Sequence, residues 1–263
     1  MALLVEFTDA ELARLGERFR RAKPFPHLVL ENVLSIDPAQ ADVGLPDPGW
    51  PHWRKFTDTY QKEKHTCADI RVIPEPWAGV VREASQPPFL RRLEAMTGVK
   101  GLIPDPYLDG GGLHASGAGG VLAPHTDFHL NERLGLYRAL NVLIYLNPGW
   151  REEDGGQLEL YAAADRPPAV RVVPAFGTLV VFLTNEASIH GFSQPVATGK
   201  WRQSIALYYY VSRKSAVFSG DANTHWKTRD IAMTGLRRRL HDTLIFTSRG
   251  VSKLAHLIDP NRR

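Results

Sequence analysis

From about residue 103 the chain is cut by glycine and proline into short β-rich runs: GGLHASGAGGVLAPHTDF, YRALNVLIYLNP, GGQLELYA, AVRVVPAFGTLVVFL and WRQSIALYYYVSR. Five or more such runs separated by turns predict a sandwich or barrel of antiparallel strands. Nothing in the sequence repeats, and no segment is of low complexity.

The flanks read differently. Residues 1–23 carry apolar positions at helical spacing, among them Ala10, Leu12, Leu15 and Phe19, and Thr8-x-x-Glu11 has the form of a capping box. PFPHLVLENVL (24–34) reads as a strand joining the β region. GLPDPGWPHW (44–53) reads as a loop whose tryptophans fold over the core, and PPFLRRLEAMTGVKGL (87–102) as a helix closed by Gly98. Segment 220–263 returns to a helical pattern that includes Arg237, Arg238 and Arg239. The expected plan is a single domain over 1–263: helical and loop support in 1–102, a β core in 103–212 and a basic helical extension in 213–263.

With 263 residues and 43% hydrophobic content, the chain can bury one sizeable core. MALLVEFTDAELARLGERF has too short an apolar run and too early an acidic residue for a signal peptide, and no stretch approaches a membrane span, so a cytoplasmic protein is expected. Cys67 is the only cysteine, which excludes an internal disulfide and any cysteine-built zinc or iron–sulfur site. A metal in this chain must therefore be held by nitrogen and oxygen. The formal charge of +4 is unevenly placed: 11 Lys+Arg against 4 Asp after residue 212 give +7 there and leave −3 before it.

In HTD, residues i and i+2 of a strand face one side, so His125 and Asp127 present an imidazole and a carboxylate to one point while Thr126 faces away. Two such ligands do not complete a site, whereas a 2-His-1-carboxylate set with three open positions is diagnostic of non-haem Fe(II) oxygenases. The candidate for the third ligand is His190, which follows the apolar run GTLVVFL and lies 63 residues beyond Asp127. Arg202 opens the strand-like WRQSIALYYY; a guanidinium there needs an anion, and a dicarboxylate spanning metal and Arg202 would satisfy both.

HTD, the later His190 and RQS resemble the pattern of Fe(II)/2-oxoglutarate-dependent oxygenases, particularly the prolyl 4-hydroxylase-like branch, over roughly residues 103–212. The resemblance implies a mainly β fold with flanking helices, built on a double-stranded β-helix (jelly-roll, cupin-like) core. It also implies Fe(II) on His125, Asp127 and His190, with 2-oxoglutarate and O2 as co-substrates and ascorbate as a further candidate cofactor. ALNVLIYLNPGW resembles the family strand ending in Tyr-Leu-Asn, whose tyrosine bonds the far carboxylate of 2-oxoglutarate; here that role falls on Tyr145, with Asn141 and Leu143 on the same face. The implied cofactor-binding set is Arg202, Tyr145, Ser204 and Asn141. Where hypoxia-type prolyl hydroxylases carry a tyrosine ten residues before the first iron histidine, this chain has Ala115, which leaves room in the pocket. Halogenases of this superfamily replace the carboxylate ligand by a small residue; Asp127 is kept, which favours hydroxylation, although desaturation, epoxidation and ring closure use the same ligands.

A hydroxylase of a small metabolite or biosynthetic intermediate is thus the leading expectation. Peptidyl hydroxylation, of a prolyl residue or a ribosomal protein, comes second, and a non-catalytic jelly-roll binding protein is the rival from another class. Nucleic acid is disfavoured as a partner because the basic residues cluster outside the core and no aromatic-interleaved basic groove is visible. The loop 128–138 and the Trp-rich 44–77 region are expected to act as lids, with Phe128, Arg138 and Trp150 as substrate contacts. His129 lies four residues after His125 but lacks the glutamate of a zincin pair and is expected at the surface or on a lid. His114, alternating with Leu113 and Ala115, is expected to face outward in a structural hydrogen bond. His27, His52, His65, His225, His241 and His256 have no partner at ligand spacing. GGGLHASGAGG matches neither phosphate-loop nor dinucleotide spacing and reads as a turn between strands; Ser116, Ser188 and Ser193 lack a nucleophile elbow.

Overall fold

The computed structural model describes residues 2–38 and 44–212 and the backbone of 225–226. Arg237–Arg239 and the rest of the expected C-terminal helical extension lie outside the described residues.

Helix α1 (Asp9–Arg21) starts where the sequence signals it: Thr8 caps the Glu11 amide while the Glu11 carboxylate takes the Thr8 amide at 2.8 Å. Its apolar stripe, Leu12, Leu15 and Phe19, is buried, each large side chain worth roughly 1.5–3 kcal/mol of transfer free energy. Helix α2 (Trp77–Ala84) was not expected from sequence. Helix α3 (Pro87–Thr97) has proline in its first turn and ends at Gly98, whose φ of 76° is the left-handed conformation that glycine adopts freely.

Thirteen strands follow one another as β1 (His27–Leu30), β2 (Arg54–Phe56), β3 (Gln61–Cys67), β4 (Ile103–Pro104), β5 (Gly112–Thr126), β6 (Leu130–Asn131), β7 (Leu136–Tyr145), β8 (Leu158–Tyr161), β9 (Val170–Val172), β10 (Leu179–Leu183), β11 (Ile189–Phe192), β12 (Arg202–Val211) and β13 (His225–Trp226). Their order is β1-β10-β7-β12-β5-β11-β8-β9, with every neighbouring pair antiparallel. This is the expected mainly β, jelly-roll-type architecture.

Alternation decides what each face carries. On β7 and β12, Leu140, Val142, Ile144, Ile205, Leu207 and Tyr209 join the apolar core that also holds Phe19, Trp77, Leu93 and Met96 of the helices. The opposite faces carry Asn141, Leu143, Arg202, Ser204, Ala206 and Tyr208, which border an internal cavity. The helices thus cover one face of the sheet and leave the other for the site.

Three segments differ from expectation. The glycine-rich stretch is not a turn between strands but part of β5, where residues 117–120 bulge opposite the single residue Glu63 between the pairs Lys62↔Val121 and Lys64↔Ser116. This lets β5 pair with β12 at 112–116 and with β11 at 122–125. The Trp-rich region 44–77 contains the hairpin β2–β3, which pairs onto β5 and widens the sheet. Within the segment read as helical, His225–Trp226 forms β13 and pairs with Thr126 and His125. Among the described residues no helix is long and apolar enough to cross a membrane.

Candidate metal and co-substrate site

The antiparallel pairing of β5 with β11 sets His125 directly opposite His190. Their rings lie 4.4 Å apart, centroid to centroid, and Asp127, two residues along β5, brings Oδ1 to 3.5 Å from Nε2 of His125 and Oδ2 to 3.6 Å from Nε2 of His190. One ligand atom from each of the three falls within 4.8 Å of the others.

The histidine tautomers suit a metal. Nδ1 of His125 lies 2.9 Å from the carbonyl of Ala123, and Nδ1 of His190 lies 3.0 Å from that of Ser188. A carbonyl only accepts, so each Nδ1 carries the proton and each Nε2 turns a lone pair to the common point. Burial, with the neighbouring His125, pushes His190 down to about 4, so it stays neutral at physiological pH. Burial disfavours the charge on Asp127, but Arg138 and the two histidines outweigh it and hold the carboxyl well below its ordinary range. Two imidazole nitrogens and a carboxylate fit a divalent transition metal that prefers nitrogen and oxygen.

Asp127 is itself held. Arg138, whose side chain is fully buried, places Nη1 3.0 Å from Oδ2 and lies between the rings of Phe128 (3.8 Å) and Tyr208 (3.5 Å). Asn141 donates from Nδ2 to the same oxygen in a short contact. The expected lid role of Arg138 is therefore corrected: it is a strand residue in the interior, because the chain after the metal motif turns at once into the hairpin β6–β7. Phe128 does border the outer cavity. Trp150 packs with Val196 and with Phe192, which borders the inner cavity, but itself borders neither cavity. His129 is buried rather than on the surface, since its carbonyl accepts from the Arg138 amide at 2.8 Å and ties it into the hairpin.

Two cavities meet at the triad. The inner one, about 90 Å³, is bordered by His125, Asp127, His190, Asn141, Ser204 and Arg202. Arg202 is buried; its Nε donates to the carbonyl of Gly156 at 2.7 Å and its Nη2 to the hydroxyl of Tyr145 at 3.3 Å. Among the described residues no carboxylate pairs with it, and burial lowers its basicity. Gly156 has φ +64°, and a Cβ there would come within 2.8 Å of the Arg202 side chain, so this position holds the guanidinium closely. Tyr145 is fully buried and meets the site through its hydroxyl on Arg202.

His114 corrects another expectation. Register pairs it with Thr66 and Ser204, which puts it on the cavity face, while Leu113 and Ala115 belong to the apolar core. Its Nε2 is buried without a hydrogen-bond partner beside the inner cavity, and desolvation pushes its pKa down to about 3. His114 thus faces the inner cavity, which the small Ala115 also borders. The outer cavity, about 490 Å³, opens from His125 and Asp127 toward the hairpin β2–β3 and is bordered by Arg54, Phe56, Lys64, Phe128, Arg138 and Tyr208. Lys64 borders both cavities. Sequence reasoning missed it because the hairpin that carries it falls in the 44–77 region expected only to act as a lid.

The family model described as the 2OG-Fe(II) oxygenase superfamily matches residues 111–256, and the chain belongs to that family. The family is one of oxygenases that use Fe(II) and 2-oxoglutarate, and the His125, Asp127 and His190 cluster fits that chemistry. Among curated proteins, prolyl 3-hydroxylase OGFOD1 of Xenopus laevis is 32% identical over 77 residues, which are 28% of this chain and 15% of that protein's length. The fold is similar to a Trichoplax adhaerens prolyl hydroxylase solved with a hypoxia-inducible-factor peptide fragment: TM-score 0.55, 19% identity, 76% of this chain and 91% of that one. It is likewise similar to a Pseudomonas putida prolyl-4-hydroxylase (0.53, 19%, 76% and 98%). The non-haem α-ketoglutarate-dependent epimerase SnoN of nogalamycin biosynthesis gives 0.52 at 18% identity over 86% of this chain and 88% of its own.

Proposed function

We propose that this enzyme hydroxylates a small molecule, with His125, Asp127 and His190 as the ligands of Fe(II). The observation that carries the reading is the convergence of three metal-competent atoms where two cavities meet, the inner one ending at a buried arginine that has no carboxylate partner among the described residues. Arg202, supported by the Tyr145 hydroxyl, receives the far carboxylate of 2-oxoglutarate, and Ser204 and His114 border the same cavity. Bound iron and 2-oxoglutarate supply the activation of O2, with one oxygen atom going to succinate, carbon lost as CO2, and the other oxygen placed on the substrate.

The chain's own part is positional. Arg138 and Asn141 keep the Asp127 carboxylate charged and aimed, the Ala123 and Ser188 carbonyls fix the histidine tautomers, and the outer cavity admits the substrate beside the triad. Its volume suits a small molecule. A peptidyl substrate is the second reading, favoured by the local likeness to a prolyl 3-hydroxylase.

The test is succinate release from 2-oxoglutarate with Fe(II) and O2, by the wild type and by His190→Ala. Turnover in the wild type and none in the variant is expected; turnover retained in the variant overturns the ligand assignment. Mass spectrometry of a metabolite panel and of prolyl peptides, seeking the gain of one oxygen, separates the two substrate classes.

A further inference from the structure

Lys64 sits where strand alternation puts it in the site. On β3, His65 and Cys67 are buried on the core side, and Lys64 and Thr66 take the other face. Register continues that face as Lys64, Ser116 and Arg202 across β3, β5 and β12. The side chain borders both cavities, in company with His125 and Asp127. Its ammonium is half-buried yet has no ion pair among the described residues: the acids whose charge it feels, Asp127 and Asp58, are engaged by Arg138 and by Gln61. Of the other acids on the outer cavity, Asp69 holds Arg71 at 2.7–2.8 Å, and Asp109 stands near the Asn131 amide and Phe128. Arg54, on the same hairpin wall, lies over the Phe56 ring at 4.8 Å and has no carboxylate partner among the described residues.

We infer that the substrate oxidised at this site carries a carboxylate, which pairs with Lys64 beside the metal, with Arg54 reinforcing the field at the mouth. This rests on the oxygenase reading and names its substrate class. A partly desolvated ammonium with no ion-pair partner among the described residues costs free energy until an anion enters, and Phe56, Phe128 and Tyr208, which border the same cavity, suit an apolar frame behind that anion. The pairing also fixes which end of the substrate faces the triad. Two cations on one wall make the cavity selective against neutral analogues.

The test uses the full chain loaded with Mn(II) and 2-oxoglutarate without O2, so that binding is read without turnover. Calorimetry compares 3-phenylpropanoate with its neutral isostere 3-phenylpropanamide. The wild type is expected to favour the carboxylate by about tenfold or more, with the preference shrinking to about twofold in Lys64→Met and surviving in Lys64→Arg. Equal or undetectable binding of the two probes to the wild type, or an undiminished preference in Lys64→Met, overturns the inference. So does a Lys64→Met protein that loses 2-oxoglutarate affinity while keeping the probe preference, since the ammonium would then serve the co-substrate. If the wild type binds no 2-oxoglutarate but still prefers the carboxylate, the oxygenase reading fails and the anion site stands.

Discussion

Arg138 places Nη1 3.0 Å from Oδ2 of Asp127, and the guanidinium is fully buried between two aromatic rings. The metal-site carboxylate is thus charged and aimed before any metal arrives. Removing one partner of a buried pair leaves the other uncompensated, typically at a cost of about 3–5 kcal/mol.

Arg138→Met is therefore expected to lower the stability of the metal-free protein by roughly that amount. Added Mn(II) should then stabilise the variant more than the wild type, because the cation replaces the lost positive charge. Urea denaturation with and without metal measures both; equal stability of the two metal-free proteins would contradict the pairing.

Arg202→Ala removes the buried cation at the end of the inner cavity. The half-saturating 2-oxoglutarate concentration is expected to rise by about thirtyfold or more, the equivalent of about 2 kcal/mol. Gly156→Ala, whose new Cβ would press on the Arg202 side chain, should move it in the same direction by a smaller factor. Unchanged 2-oxoglutarate binding in Arg202→Ala would remove the arginine from the site.

In the metal-free protein, His114 and His190 have pKa values pushed down to about 3 and about 4, from an ordinary 6.5. Between those values the unfolded chain binds protons that the folded chain refuses, so stability rises with pH there. It is complete above about pH 6.5 and falls as acid is added, each group contributing up to about 1.4 kcal/mol per pH unit. His114→Asn should flatten this slope between about pH 6 and pH 5 in urea titrations made with chelator present. A slope identical to the wild type's would place His114 in water.

Trp53, buried and edge-on to Trp50, His65 and Trp201, fastens the loop before β2 to the rest of the chain, and the Trp201 indole donates to the Pro46 carbonyl at 3.0 Å. Trp53→Ala is expected to cost about 3–5 kcal/mol in chemical denaturation. A loss below about 1 kcal/mol would mean that the loop is held elsewhere.

The triad was legible because its signals are local: HTD is one strand's i, i+2 pair, and His190 and Arg202 each stand beside an apolar run. The first helix and the one ending at Gly98 were legible from caps and spacing. Lys64 and the orientation of His114 were not, since both depend on the pairing of β3 with β5 across a four-residue bulge that no local pattern announces. Arg138 stood in a segment polar enough to read as a loop, and its burial makes sense only once Asp127, Phe128 and Tyr208 surround it.

The most direct measurement is an anaerobic visible spectrum of the metal-free protein titrated with Fe(II) and then 2-oxoglutarate, beside His190→Ala. Chelation of 2-oxoglutarate on a triad-bound iron predicts a weak charge-transfer band in the wild type that saturates with both additions and is lost in the variant. Folded wild-type protein that binds Fe(II) yet develops no band, or a variant whose band equals the wild type's, would contradict the assignment of His125, Asp127 and His190.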